Sequence, residues 1–130
     1  MAKTQSARLE QNAESTSSAI IAADKVEGTN VYNRTGDKLG TVDHVMIDKS
    51  SGKVCYAIMS FGGFLGMGES YHPLPWQKLT YDQDKGGFVV DLDKRQLEGA
   101  PYHKGEDFVW SRDYGRRVDQ YYGLPTSYWL

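Results

Sequence analysis

The chain has 130 residues, enough for one hydrophobic core and short for two. A formal net charge of −2 and a pI near 5.9 exclude the sequence-wide basic footprint that nucleic acid or an anionic membrane surface selects, so any RNA contact would have to be local. Fourteen glycines, nine tyrosines and a mean hydropathy of −0.59 suit a soluble, turn-rich β protein, and the single Cys55 excludes an internal disulfide or a multi-cysteine zinc or redox motif within one chain.

Residues 1–19 are polar, rich in Ser, Thr, Gln and Ala, without a sustained apolar period or the apolar run of a signal or anchor. They read as a disordered leader or a frayed helix, and the default compartment is the cytoplasm. From Ile20 the pattern changes to short β-rich runs separated by turn signals at "EGTN" and "RTGDK", which predicts strands near 30–34 and 39–48. The turn "DKSSGK" lies between "TVDHVMI" and "VCYAIMSF", and Gly52 can supply the left-handed residue of a tight hairpin. Almost every position of "VCYAIMSF" is apolar or small, which predicts a strand covered on both faces.

The next stretch, G-F-L-G-M-G-E-S from Gly63 to Ser70, is one residue from the phosphate-cradling pattern G-x-x-x-x-G-K-[ST]. It fails that chemistry twice. Glu69 stands where the phosphate-binding lysine belongs, and "YHPLPW" cannot open a helix, because Pro73 and Pro75 hold their preceding residues extended. A glycine-rich connection between strands is the better reading. "SYHPLPW" is then extended, and "LTYDQDKGGFVVDL" is a second strand, turn, strand unit turning at 84–87. Five or more short strands with no long helix between them predict a small antiparallel barrel.

Beyond residue 92 the composition shifts. "DKRQLEG" predicts a helical turn or two ending at Gly99 and Pro101. Apolar spacings of three to four through Trp110, Tyr114, Val118 and Tyr121 or Tyr122 predict a helix near 111–122, weakened by about 1 kcal/mol at Gly115.

The segments "VYNRTGDKLGTVDHVMIDKSSGKVCYAIMSFGG" at 31–63 and "YHPLPWQKLTYD" at 71–82 resemble the PRC-barrel family, named for the H subunit of the photosynthetic reaction centre. Gly36, Leu39, Gly40, Val42, Asp48, Gly52, Lys53, Val54, Tyr56, Pro75, Trp76 and Leu79 carry the likeness, which spans about 20–92 and points to a single-domain bacterial subgroup. The resemblance implies a mainly β fold, a small antiparallel PRC-type barrel at 20–92 with a C-terminal helical and aromatic extension at 93–130. It also implies an adaptor. Relatives cap a membrane complex or contact ribosomal components, but this chain lacks the first one's transmembrane helix and the second one's N-terminal domain, so neither role transfers whole.

No nucleophile, metal or phosphate motif is assembled, so no enzyme, cofactor or metal is expected. Cys55 sits in an apolar strand, where a thiol acts as a small hydrophobe. His44, His72 and His103 have no metal spacing; Asp43 and His44, adjacent on a strand, cannot face one ion without a bulge, and His72 reads as a rim residue. Arg116 and Arg117 share their helix with Asp113 and Asp119, which reads as a solvated face. The aromatic surplus is more informative. Phe64, Leu65, Met67 and Trp76 surround the glycine-rich insert, and Trp110, Tyr114, Tyr121, Tyr122, Tyr128 and Trp129 crowd the tail. Either the tail packs back over the barrel, or insert and tail form contact surfaces for a second subunit or an unidentified protein partner. The favoured reading is a non-enzymatic adaptor forming a homodimer. The alternatives are a module binding a small, quinone-like molecule beside Trp76, and a ribosome- or RNA-associated factor.

Overall fold

The computed structural model describes residues 20–62, 70–104 and 108–129. The leader at 1–19 and the insert residues Phe64, Leu65 and Met67 lie outside the described residues. A short helix α1 (Ala23–Val26) precedes β1 (Asn30–Tyr32), β2 (Lys38–Ile47), β3 (Val54–Phe61) and β4 (Ser70–Pro75). A 3-10 turn at Trp76–Lys78 leads to β5 (Thr80–Asp82) and β6 (Gly87–Val89), followed by α2 (Lys94–Glu98) and α3 (Arg112–Tyr121).

The strands form one sheet in the order β4-β3-β2-β1-β6-β5. Neighbours are antiparallel except β1 and β6, which run parallel through Val31 with Phe88 and Tyr32 with Val89. Alternation within each strand carries no information about that pairing, because it joins segments more than fifty residues apart. No ladder joins β4 to β5 among the described residues, so the sheet is curled rather than closed. The curl follows from chain length. β4 and β5 are the two ends of the sheet, yet only residues 76–79 connect them, a reach of about 14 Å at full extension.

The β2–β3 hairpin turns as its residues dictate. Gly52 takes φ +77°, and the Asp48 carboxylate accepts from the Ser51 backbone N–H at 2.9 Å and from its hydroxyl at 2.6 Å. Those bonds hold the Asp48 carboxyl below its ordinary pKa. Gly40 has a different reason to be glycine: a Cβ there would lie 2.2 Å from the Ser60 carbonyl oxygen on β3.

Cys55 to Met59 are buried in succession, so both faces of β3 are covered. Tyr56 and Ile58 share one face, and the extension covers it. Trp110 lies 4.8 Å from the Tyr56 ring, and Tyr128 meets that ring edge-on at 6.1 Å. Ala57 and Met59 point to the opposite face. The tail therefore packs on its own barrel.

Helix α3 starts where Ser111 caps it, the hydroxyl accepting from the Tyr114 N–H at 3.1 Å. α2 has a full capping box between Asp93 and Gln96. Gly115 is not a defect in α3, because the Nε1 edge of the Trp110 indole lies against it and a Cβ there would meet the ring at 3.2 Å. Asp119 is a correction to the solvated-face reading. It is 1% exposed, and its carboxylate accepts from the Tyr56 hydroxyl at 2.5 Å and the Ser127 N–H at 3.0 Å.

Two substitutions test this account by chemical denaturation. Gly40→Ala is expected to destabilise the protein by about 3 kcal/mol, as overpacking against backbone does. Asp119→Ala is expected to lower stability by about 3 kcal/mol, since it orphans the buried Tyr56 hydroxyl and the part-buried Ser127 N–H; a loss under about 1 kcal/mol would mean the extension is held otherwise.

Candidate functional site

The pairing of β2 with β3 slips between Val42, opposite Met59, and His44, opposite Ile58, which leaves Asp43 as the extra residue of a β-bulge. The bulge brings together two side chains that a regular strand would separate. His44 Nδ1 lies 2.7 Å from Asp43 Oδ2, and because an ionised carboxylate only accepts, Nδ1 carries the proton.

Above this pair opens a cleft of about 330 Å³. Met46 and Ile58 belong to its lining from the sheet, Tyr71 from β4, and His103, Phe108 and Trp110 from the segment that leads into α3. His103 is held by backbone bonds in both directions with Tyr71, at 2.9 and 3.1 Å, and its Nδ1 lies 2.9 Å from the Tyr114 hydroxyl. Burial pushes the His103 imidazole below its usual pKa, with a smaller push from His44, which favours the neutral ring.

His72, expected at the rim, is 2% exposed. The next-but-one positions of β4 point inward, and the Tyr102 ring stacks over the imidazole at 5.5 Å. Its Nε2 lies 3.1 Å from the Ser70 hydroxyl, and Nδ1 has no partner among the described residues. Burial, with a smaller contribution from His103, pushes its pKa down to about 4. Cys55 is buried too, and that burial raises its thiol pKa. Among the described residues no group of three His, Cys, Asp or Glu side chains is arranged to hold a metal ion.

The aromatic candidates separate into two sets. Trp76 packs edge-on against Phe88 at 5.4 Å, and the Tyr128 hydroxyl donates to the Cys55 carbonyl at 2.5 Å while accepting from the Gln77 N–H at 3.3 Å. Trp110 and Trp129 are half-buried against the core, and Tyr114 and Tyr122 are buried outright, which removes those two from any outer contact surface. Tyr121 differs, at 42% exposed. It lines a shallow groove of about 470 Å³ with Pro101, Tyr102, Arg117 and Gln120. Tyr102, 49% exposed, and Phe108 carry no distinguishing sequence signal, because an isolated aromatic in a loop reads as filler until its neighbours are known. Arg116 pairs with Asp113, and Arg117 lies over the Tyr114 ring at 5.8 Å.

A small curled β-sheet with hairpin connections, its outer face covered by a C-terminal helix, is the architecture that carries both surfaces. The PRC-barrel domain profile matches residues 19–97, and the chain belongs to that family. A solved structure of a 16S ribosomal RNA processing protein, RimM, from Pseudomonas aeruginosa is similar at 20% identity and a TM-score of 0.40. That similarity covers 62% of this chain and 48% of the other, so the chain spans about half of that protein's length. No curated protein matches. No helix among the described residues is long and apolar enough to cross a membrane.

The depressed His72 pKa has a signed consequence. Above about pH 6.5 the imidazole is neutral in folded and unfolded chains alike; between 6.5 and about 4 only the unfolded chain takes up the proton, so acidification destabilises the fold across that window. The expected loss approaches about 3 kcal/mol by pH 4. His72→Gln should flatten this part of the stability profile, measured by urea denaturation from pH 7.5 to 4; an unchanged slope would show that His72 does not set it.

Proposed function

We propose that this protein is a non-enzymatic PRC-barrel adaptor of the cytoplasm that binds a protein partner through the groove between residues 99–102 and α3. The observation that carries this reading is the pair of exposed tyrosines flanking Arg117. Tyr and Arg are the residues that concentrate binding energy at protein contacts, and both rings are already fixed. Tyr102 stacks on His72, and the Tyr121 hydroxyl donates to the Gln96 carbonyl at 2.6 Å, so ordering them on binding costs little entropy. Arg117 has no carboxylate partner among the described residues, which favours a partner segment carrying an acid.

A non-catalytic role is supported by what the reactive groups do instead. Cys55 is packed in the core, and His72 is covered by Tyr102. The packing of Trp110, Tyr114, Tyr122, Tyr128 and Trp129 on the chain's own barrel leaves the tail little to offer a second subunit, so a homodimer would have to use the groove as well.

Arg117→Glu combined with Tyr121→Ser tests the groove, because both side chains are exposed and the fold can be checked by circular dichroism. Sedimentation of the pure protein and affinity capture at low and physiological salt should show a dimer or a reproducible partner that the variant loses by at least about tenfold, roughly 1.4 kcal/mol. Ribosomal particles as the captured partner, released steeply by salt, would place the adaptor on the ribosome. A protein that is monomeric and captures nothing, or a variant that binds as wild type does, overturns the reading.

A further inference from the structure

The cleft over the Asp43 bulge has a chemistry that a protein-binding groove on another face does not use. Phe108 and Trp110 stand at 87° to each other with ring centroids 6.5 Å apart, two aromatic walls of one corner. Phe108 is backed by His103, stacked on it at 3.8 Å and 10°, and His103 by Tyr71 at 5.8 Å and 21°. The column is stiff. Trp110 is fixed from behind by its contact with Gly115 and by the Tyr114 ring at 5.1 Å.

Charge decides what fits. Among the described residues Asp43 is the one carboxylate lining the cleft and no Lys or Arg lines it; the His44 ring is turned to that carboxylate, and burial disfavours a charge on His103. The His44 N–H takes Asp43 Oδ2, which leaves Oδ1 without a partner among the described residues. Aromatic faces and a carboxylate both present negative potential. An anion is therefore repelled. A neutral apolar molecule such as a quinone would strip water from Asp43 and return no charge to it. A bare metal ion finds one carboxylate where hard cations need six or more oxygens. An ammonium group whose protons are replaced by methyls suits these walls: its charge faces the aromatic corner and Asp43, and its methyls meet Met46. The volume of about 330 Å³ lies at the small end of ligand clefts, so the site takes a head group and little more.

We propose that the cleft between the Asp43 bulge and the Phe108–Trp110 corner is a binding site for a small organic cation bearing a methylated, typically quaternary, ammonium group. The role of the cleft does not rest on that of the partner groove.

The test uses the full chain and choline as the probe, followed by nitrogen-15 amide and indole shifts. Choline should produce saturable shifts at Asp43, Phe108 and the Trp110 indole. Its neutral carbon isostere, 3,3-dimethylbutan-1-ol, should bind at least about tenfold more weakly, the expected size of a desolvated cation–aromatic contact. Asp43→Asn, at an exposed position that should not affect folding, should weaken choline by about tenfold as well. Free Nε-trimethyllysine, titrated in parallel, separates the two sources of this chemistry: choline binding the tighter marks a free small cation, the reverse a methylated side chain. No saturable shift up to about 50 mM choline, well above the millimolar affinity that a few such contacts supply, overturns the proposal. Equal affinity for the isostere, or unchanged choline affinity in Asp43→Asn, overturns it too.

Discussion

The hydrogen bond from the Tyr56 hydroxyl to Asp119 joins the middle of the barrel to the C-terminal extension, and most of the molecule's particular character follows from it. A carboxylate 1% exposed is tolerated only when donors converge on it. Here one oxygen takes Tyr56 and the other the Ser127 N–H. The first bond seats α3 over β3. The second holds the tail at Ser127, whose φ of 54° is a left-handed conformation that a serine adopts only where its surroundings hold it. Burial and this bond together raise the pKa of the Tyr56 hydroxyl, which keeps it a donor across the physiological range.

With α3 seated, the aromatic surplus finds its place. Trp110 fills the space between Tyr56 and the bare backbone at Gly115, Tyr128 bridges β3 to the 3-10 turn, and the outer face of β3 becomes interior. The barrel and the extension thus share one core. The family match ends at residue 97, whereas Tyr102, His103, Phe108, Trp110, Arg117 and Tyr121 all lie beyond it. The family fold supplies the floor of the cleft and Tyr71 beside it, and the extension supplies the aromatic corner of the cleft and, among the described residues, all of the groove lining. Both surfaces therefore sit at or beyond that junction, in keeping with the rule that a shared fold does not fix function.

What is legible in the sequence is what depends on near neighbours. The β2–β3 hairpin follows from Asp48, Ser51 and Gly52 acting within five residues, and the bounds of α3 follow from the three-to-four spacing of Trp110, Tyr114 and Val118 and the stop at Gly123, so both match the structure to within about a residue. Features set by distant pairing are not legible. The bulge at Asp43 exists because of how β2 registers against β3, which alternation within β2 does not encode. Asp119 reads as solvated because two arginines precede it on the helix, and only the position of Tyr56, 63 residues away, explains its burial. Gly115 looks like a helix weakness for the same reason, since the ring that requires it arrives through tertiary packing.

The groove and the cleft are not two unrelated surfaces. Tyr102 and His103 are consecutive residues of an extended segment beside β4, where consecutive side chains point to opposite faces. Tyr102 stacks on His72 and borders the groove, while His103 stacks on Tyr71 and borders the cleft. The same alternation runs through β4 itself, with Tyr71 on one face and His72 on the other. Two backbone bonds between Tyr71 and His103 lock the pair of segments in register, so neither tyrosine can shift without moving a histidine on the far side. The groove and the cleft are opposite faces of one short bridge, and its two backbone bonds hold both in place.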